Sequence, residues 1–137
     1  AGHVKIEDKA IIGICLGMQL LFDYGYEGGG SKGLSLIQGE VRKINKLVKN
    51  DRPIFGWKKI SHSNKNLKNF DRPMYFVHSY GAECAYQKNV ESTFLYQNRR
   101  IVSSVKNGNV YGFQFHPERS AKYGLELLQT VINNTYN

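Results

Sequence analysis

Residues 11–21, "IIGICLGMQLL", limit what this chain folds into more than any other part of its sequence. An apolar run rich in β-branched residues is typical of a buried strand, and the apolar positions after it suit a short helix. A cysteine lies between the two elements, with a glycine two positions before it and another two positions after it. The pattern indicates either a sharp strand-to-helix turn with Cys15 at its tip or an ordinary core cysteine beside glycines.

A sharp turn of this kind would prepare Cys15 for nucleophilic chemistry. In such an elbow, side chains at the positions of Gly13 and Gly17 would collide with neighbouring backbone, so both positions favour glycine. The turn would also place the cysteine at the positive end of the following helix, where a thiolate is stabilised. We therefore expect a lowered pKa for the Cys15 thiol.

A second motif, "GFQFHPERS" at residues 112–120, supplies the partners that such a cysteine needs. A cysteine nucleophile requires a base that takes its proton and later returns it, and a carboxylate that orients the base. His116 and Glu118 fit these roles if Pro117 fixes the turn between them. A histidine at a strand end is otherwise most often structural, so it is the combination with Cys15 that predicts a catalytic triad.

The rest of the chain predicts one α/β domain over residues 1–137. Residues 16–24 suit a short helix, and the glycine-rich "GYEGGGSKG" after it predicts a turn without regular structure. Short strands are predicted in "LSLIQGEVRKI", "IFGWKKI", "MYFVHSY", "RIVSSV" and "NVYGFQF", the last two joined by the turn "KNGN". A final helix, "AKYGLELLQTVINN", is expected to bury a face made of Leu125, Leu128, Val131 and Ile132.

Composition narrows the function classes further. The net charge of +8 comes from scattered lysines and arginines without a recognition motif, which indicates a solvated basic surface and no nucleic-acid partner. No apolar run is long enough to span a bilayer, so no membrane association is expected. Two cysteines in a chain of this size favour a reducing cytoplasm over a disulfide framework. The histidines lack ligand-like spacing, so we expect no metal site and no cofactor.

Taken together, "GICLGMQ" and, about a hundred residues later, "FHPE" resemble the class I, triad-type glutamine amidotransferases. Within that class, Met18 before Gln19 together with "GLSLIQGEV", "GWKKI", "YFVHSY" and "GFQFHPERS" is most similar to the glutaminase subunits of imidazole glycerol phosphate synthase. The resemblance covers residues 11–130. It implies a flavodoxin-like α/β fold with additional antiparallel strands.

The resemblance also implies a reaction, the hydrolysis of glutamine to glutamate and ammonia through a γ-glutamyl thioester. Cys15 would attack, His116 would transfer protons, and Glu118 would orient the imidazole, while the backbone N–H of Leu16 would help to hold the oxyanion. Gln19, Ser79 and Tyr80 would hold the amino-acid end of glutamine. For these residues a structural role stays open, because Gln19 suits a polar helix surface and Tyr80 a strand-end aromatic.

Amidotransferase subunits of this kind pass ammonia to a synthase, which in the resembled enzyme of histidine biosynthesis is a (β/α)₈-barrel cyclase subunit. The resemblance places Trp57 and Arg119 near the contact with that partner. A role for Trp57 as a core or strand-packing aromatic stays open.

The sequence also departs from the family pattern. Ser35 and Gln38 replace a glycine and a proline, Phe55 and Lys58 flank the tryptophan motif in unusual ways, and Arg119 replaces a lysine. These changes leave open a related amidotransferase that feeds another synthase, for example in sugar modification. A cysteine protease is a further alternative, but "GMQ" and "VHSY" favour a substrate of amino-acid size.

Family members carry about another half-domain before the elbow, including a glycine-rich loop with a second oxyanion donor. We therefore expect this chain to be the C-terminal portion of a longer protein, truncated at the N-terminus of the domain and poorly active alone. Loss of one oxyanion donor typically costs about a hundred- to a thousandfold in rate. A binding or regulatory subunit without turnover is the corresponding alternative function.

Overall fold

A computed structural model of the chain describes residues 9–44 and 54–136. Two α-helices are described, α1 at Leu16–Gln19 and α2 at Ala121–Tyr136. Most of the remaining regular structure is extended. The strands in chain order are β1 (Ile11–Ile14), β2 (Tyr24–Gly25), β3 (Ser31–Lys32), β4 (Gly39–Lys43), β5 (Ile54–His62), β6 (Pro73–His78), β7 (Tyr80–Cys84), β8 (Val90–Tyr96), β9 (Arg99–Asn107) and β10 (Val110–Phe113).

These strands form two sheets. The larger has six strands in the order β1-β10-β9-β8-β5-β6, and the smaller has four in the order β3-β2-β4-β7. In the larger sheet β1 and β10 run parallel, with Gly13 opposite Gly112, and the other neighbours run antiparallel. Because β1 and β10 are parallel, their carboxyl ends lie at the same edge, which brings Cys15 and the "HPE" motif together. The mixed α/β class agrees with the sequence prediction.

Two apolar clusters hold the fold together. The larger lies between the six-stranded sheet and α2, and the smaller lies among α1, the four-stranded sheet and residues of β9 and β10. Fully buried aromatic side chains dominate the larger cluster, where their burial removes the most apolar area from water per residue. Its aromatic members are Phe76, Phe94, Tyr111, Phe113 and Phe115, and the smaller cluster is built on Met18, Leu21, Phe22, Ile37 and Val41.

The first helix is shorter than predicted. It ends at Gln19, whereas the apolar pattern predicted a helix as far as residue 24. Asp23 makes two hydrogen bonds with Gly39. Its N–H donates to the Gly39 carbonyl at 3.0 Å, and its side-chain Oδ2 accepts from the Gly39 N–H at 3.0 Å. Tyr24 then pairs with Glu40 as part of β2. Bonding to β4 therefore extends the chain where local propensity favoured a helix.

The glycine-rich segment also has more structure than predicted. It carries β2, a 3₁₀ turn at Glu27–Gly29 and β3, with positive φ angles at Gly28, Gly29 and Gly30. The predicted strand at residues 34–44 is in turn shorter, since β4 begins only at Gly39.

The hairpin turns of the larger sheet contain residues with positive φ. Gly108, with φ 59°, lies in the predicted turn between β9 and β10. Strand β8 was not predicted. Its connection to β9 is the two-residue turn Gln97–Asn98, where φ is 49° and 64°, and positive φ at both positions is what a tight hairpin needs. The sequence "QN" is a weaker signal of such a turn than "NG", which is why this hairpin was missed.

The C-terminal helix α2 is present, but the predicted buried face is partly wrong. Leu127 and Val131 are buried against the larger cluster, and Leu128 packs at its margin. Leu125 is 54% exposed, because Gly124 takes the position against the preceding turn, where an added Cβ would come within 2.3 Å of the Pro117 carbonyl oxygen. In the described residues, neither α2 nor any other helix has the length and apolarity to cross a membrane.

Candidate active site

Cys15 occupies the tip of a tight turn between β1 and α1. Its φ is 55° and its ψ is −108°, a backbone conformation that non-glycine residues rarely adopt. The turn is held from both sides, since the Cys15 N–H donates to the Phe113 carbonyl at 2.7 Å and the Cys15 carbonyl accepts from the Gln19 N–H at 3.2 Å. Such strain persists only where surrounding contacts fix it, and it is characteristic of functional sites. The arrangement has the geometry of a nucleophile elbow.

The two glycines of the elbow differ in what requires them. A Cβ added at Gly13 would come within 2.5 Å of the Gly17 carbonyl oxygen and within 2.7 Å of the Met18 nitrogen. Gly13 is therefore required for the close approach of strand and helix. A Cβ at Gly17 would meet no atom within 4 Å, so the prediction that a side chain there would collide is wrong. A side chain at position 17 would therefore extend into open space.

The expected lowering of the Cys15 pKa is also wrong. Burial raises the pKa of the Cys15 thiol above its ordinary value, and the negative charges of Glu118 and Glu27 raise it further. Hydrogen bonds from the Leu16 backbone N–H and the Gln114 side chain act in the opposite direction and are outweighed. Helix α1 has four residues, too few to build a large dipole. The free thiol therefore keeps its proton at neutral pH.

His116 and Glu118 form a direct contact beside the elbow. The Nδ1 of His116 lies 2.6 Å from Oε1 of Glu118, with side chains that are 22% and 43% exposed. Pro117 opens the 3₁₀ turn Pro117–Arg119 between them, where its fixed φ suits the first position. The His116 N–H donates to the Tyr75 carbonyl at 3.0 Å, which anchors the histidine to β6.

A cavity of about 620 Å³ opens between these elements. It is shaped by the elbow on one side and by the segment between β6 and β7 on the other. Its size suits a small polar ligand such as an amino acid. The lining residues are Ile14, Cys15, Leu16, Gln19, Glu27, Val77, His78, Ser79, Tyr80 and His116.

The four residues predicted to bind substrate all line this cavity. Leu16 is 61% exposed, and its N–H lies in the first turn of α1, where no intrahelical acceptor is available. The Nε2 of Gln19 donates to the Tyr80 carbonyl at 3.5 Å, a contact that joins α1 to β7. Ser79 holds the adjacent backbone, since its carbonyl accepts from the Ile44 N–H at 2.8 Å.

Three residues of this region were missed by the sequence reasoning. Glu27 lines the cavity from the glycine-rich segment, which had been predicted to be an irregular turn. His78 lies in "VHSY" and lines the cavity, with its Nδ1 2.6 Å from the Tyr80 carbonyl. Burial lowers the pKa of His78 to about 4, despite the hydrogen bond to Tyr80, and the charge of His116 adds to the lowering. Gln114 lies within the quoted motif "GFQFHPERS" and contacts Cys15.

The residues predicted at a partner contact are both exposed. Trp57 is 52% exposed, so it is not a core residue, while its position opposite Tyr75 on the neighbouring strand fits the alternative of strand packing. It meets Tyr75 edge to face with ring centroids 5.8 Å apart, and Phe55, 65% exposed, meets the same ring at 6.2 Å. Arg119 is exposed next to Glu118. Within residues 9–44 and 54–136, no group of three or more histidine, cysteine or acidic side chains is arranged to hold a metal ion.

Comparison with known proteins defines the class. Residues 3–133 match the family model for glutamine amidotransferase class-I, and the chain belongs to that family. A solved glutamine amidotransferase from Thermotoga maritima superposes with a TM-score of 0.52 at 20% identity, over 91% of this chain and 49% of that one. Another solved glutamine amidotransferase gives a TM-score of 0.59 at 14% identity, over 93% and 61%. These neighbours confirm the predicted fold.

The curated relatives are more specific. The chain is 40% identical to imidazole glycerol phosphate synthase subunit HisH of Thermotoga maritima, over 95% of this chain and 61% of the relative. It is 44% identical to the HisH subunit of Pyrococcus furiosus, over 90% and 64%. The chain therefore spans a little over three fifths of the length of these relatives. The predicted resemblance to this branch of the family is confirmed.

Proposed function

We propose that this chain carries the catalytic part of a glutaminase subunit of imidazole glycerol phosphate synthase, which hydrolyses glutamine to glutamate and ammonia. The observation that supports this most directly is that Cys15 and His116 line one cavity, with Glu118 bonded to the far nitrogen of the histidine. The identity of about 40% to HisH subunits supports the choice of synthase.

The reaction begins with removal of the thiol proton. Because the pKa of Cys15 is raised, the proton leaves as the sulfur attacks, and it passes to Nε2 of His116. Nδ1 of His116 stays hydrogen-bonded to Glu118, which fixes the tautomer and stabilises the imidazolium. The new S–C bond gives a tetrahedral intermediate, and the backbone N–H of Leu16 stabilises its oxyanion.

The second half of the reaction reverses the proton transfer. His116 donates its proton to the departing nitrogen, and ammonia and a γ-glutamyl thioester on Cys15 result. His116 then accepts a proton from water, which attacks the thioester carbonyl. The S–C bond breaks to release glutamate, and His116 returns its proton to the sulfur to restore the free thiol.

Substrate binding uses the opposite side of the cavity. Gln19, Ser79 and Tyr80 offer hydrogen-bonding groups to the α-carboxylate and α-amino groups of glutamine. Glu27 lines the same cavity and supplies a negative charge opposite the α-ammonium group, a role that the sequence reasoning had not assigned.

The ammonia would pass to a synthase subunit with a (β/α)₈ barrel. The exposed rings of Phe55 and Trp57, which both pack on the half-buried ring of Tyr75, form an aromatic surface that suits a protein contact, since large exposed aromatics mark interfaces. Val77 is 38% exposed and also lines the catalytic cavity, which connects this surface to the site where ammonia forms. Arg119 extends the surface beside Glu118. Both cysteines are free thiols, which supports a reducing compartment such as the cytoplasm.

The test is labelling by a glutamine analogue that carries an electrophilic diazoketone, followed by glutamate release. We expect covalent modification of Cys15, protection by excess glutamine, and no modification of Cys15→Ala, with Cys84→Ala as the matched control that labels normally. Addition of the barrel cyclase should raise glutamate release from the wild-type chain, and Trp57→Ala should weaken that response.

Absence of glutamine-protected labelling at Cys15 would contradict a glutaminase site. Labelling without any response to the cyclase would retain the glutaminase and reject this partner, in favour of another synthase.

A further inference from the structure

Gln114 is a buried polar side chain that the mechanism above does not use. It follows β10, two residues before His116, and its side chain is completely buried. Its backbone N–H donates to the Ser103 carbonyl at 2.9 Å, which holds it against β9. A buried amide is costly unless its polar atoms are bonded, so the partners of this side chain indicate what it does.

Both ends of the Gln114 amide contact residues of the proposed site. Its Nε2 lies 3.9 Å from Cys15 Sγ, within reach of a hydrogen bond to sulfur. Its Oε1 accepts from Nε2 of Gln19 at 3.3 Å. Gln114 does not line the cavity, so its influence on bound glutamine passes through these two neighbours.

The direction of each hydrogen bond follows from a single carbonyl. The Tyr80 carbonyl can only accept, so the amide nitrogen of Gln19 must face it. The same nitrogen then faces Gln114, which requires the oxygen of Gln114 on that side. The NH₂ group of Gln114 is thereby turned toward the sulfur. The Tyr80 carbonyl thus determines, through Gln19, that Gln114 presents its NH₂ group to the Cys15 sulfur.

We propose that Gln114 is a positioning residue that donates to the Cys15 sulfur and joins the nucleophile to Gln19 and the Tyr80 backbone. The proposal deepens the glutaminase function and rests on it for its effect on turnover. Two carboxylates, Glu27 and Glu118, disfavour the thiolate, and Gln114 is the side chain that acts against them. Together with the Leu16 backbone N–H, it supports the thiolate of Cys15 against burial and these two charges.

The test measures the alkylation of Cys15 by iodoacetamide as a function of pH, because the thiolate is the reacting species. Gln114→Met keeps a similar length and removes both polar ends. We expect the Cys15 midpoint to rise, and its rate at pH 7.5 to fall about three- to tenfold, as for loss of one hydrogen bond. Mass spectrometry of the two cysteine peptides provides an internal control, since Cys84 should be unchanged.

Matched variants separate positioning from packing. Asn89 is also a buried amide, bonded to the Lys106 carbonyl at 2.9 Å, and Asn89→Leu should leave the Cys15 profile unchanged. In the absence of glutamine, Gln19→Met removes the anchor of Gln114 and leaves the contact of Gln114 with sulfur in place, so we expect a smaller slowing of about two- to threefold. The double variant should match Gln114→Met alone, because Gln19 acts on the sulfur through Gln114.

A folded Gln114→Met chain whose Cys15 rate stays within about twofold of wild type would overturn the proposal. If that variant does not fold, Gln19→Met decides, and an unchanged Cys15 profile there overturns it. Alkylation requires no turnover, so a shifted profile with no glutaminase activity would reject the proposed function and leave the contact intact. Where turnover is measurable, we expect Gln114→Met to lower kcat more than it raises KM.

Discussion

Two histidine–carboxylate pairs in this molecule have similar contacts at Nδ1 and differ in burial and in the surroundings of Nε2. In one, His116 Nδ1 lies 2.6 Å from Glu118, and in the other, His62 Nδ1 lies 2.9 Å from Asp71. The side chain of His116 is 22% exposed, whereas that of His62 is completely buried. Asp71 also accepts from the His62 backbone N–H at 2.8 Å, which ties the end of β5 to the turn after it.

The difference lies at the second ring nitrogen. His116 borders the cavity that contains Cys15, so its Nε2 is available for proton transfer. Nε2 of His62 is buried and has no hydrogen-bond partner within the described residues. A carboxylate contact therefore does not by itself identify the histidine proposed for catalysis; of these two, His116 also lines the cavity of Cys15.

The largest contrast is expected from the same substitution at both histidines. Asparagine keeps a donor near the Nδ1 position and removes Nε2. His116→Asn should lower glutamate release by about 10²- to 10⁴-fold with little change in Tm, because the proton-transfer group is lost. His62→Asn should keep activity within about twofold and lower the Tm, since ring packing is lost. Equal losses of activity at the two sites would contradict the distinction.

The next largest effect is expected from acid, which should lower the free energy of unfolding through the buried histidines. Burial lowers the pKa of His62 despite Asp71, and lowers that of His78 to about 4. The unfolded chain binds these protons near the ordinary value of about 6.5, so it takes up more protons than the folded chain as pH falls below that value. From pH 7 to 4, the free energy of unfolding should fall by on the order of 3 kcal/mol from His78 alone.

Urea unfolding at several pH values measures this loss. His78→Gln should flatten the curve between pH 6.5 and 4, and an unchanged slope would contradict the assignment.

The carboxylates should show a smaller contrast in stability. Asp71→Asn weakens the contacts to the ring and backbone of His62, and we expect a loss of about 2 kcal/mol in the free energy of unfolding. Glu118→Gln changes a half-exposed group with one partner, so the loss should stay below about 0.5 kcal/mol. Chemical denaturation of both variants at pH 7 compares them directly, and a larger loss for Glu118→Gln would break the comparison.

A small effect is also expected at Lys68. Its Nζ donates to the His62 carbonyl at 2.5 Å and lies 3.8 Å from Asp71, but the side chain is 55% exposed. Lys68→Met should therefore cost less than about 1 kcal/mol of unfolding free energy and leave activity unchanged. A greater loss would show that the buried pair depends on this surface cation.

The candidate triad was predictable because its members carry local signals. Glycines around Cys15 and the proline between His116 and Glu118 describe two tight turns, and a turn is a short-range property. Glu27 and Gln114 carry no such signal. Glu27 reaches the cavity because β2 and β4 pair, and Gln114 contacts Cys15 because β1 and β10 pair, so both depend on long-range register.

The fold prediction likewise succeeded where signals were local and failed where long-range pairing decides the structure. Strands with strong β-branched or aromatic patterns were predicted, while β8, "VESTFLY", was missed because its hairpin lacks a glycine. The first helix was predicted too long because Asp23 and Tyr24 bond to β4, a contact that apolar spacing does not report. The lowered pKa predicted for Cys15 was wrong for a related reason, since burial by the tertiary fold raises it most, and the charges of Glu118 and Glu27 add to the rise.

The parallel pairing of β1 with β10 also orders events during synthesis. Cys15 leaves the ribosome 99 residues before Gln114, and His116 follows two residues later. At ordinary elongation rates that interval is roughly 5–20 s. Throughout it the nascent cysteine has neither His116 nor Gln114 as a neighbour, because both follow β10, the last of the described strands. The proposed hydrolysis of glutamine can therefore begin only after β10 has paired with β1, however early Cys15 itself is made.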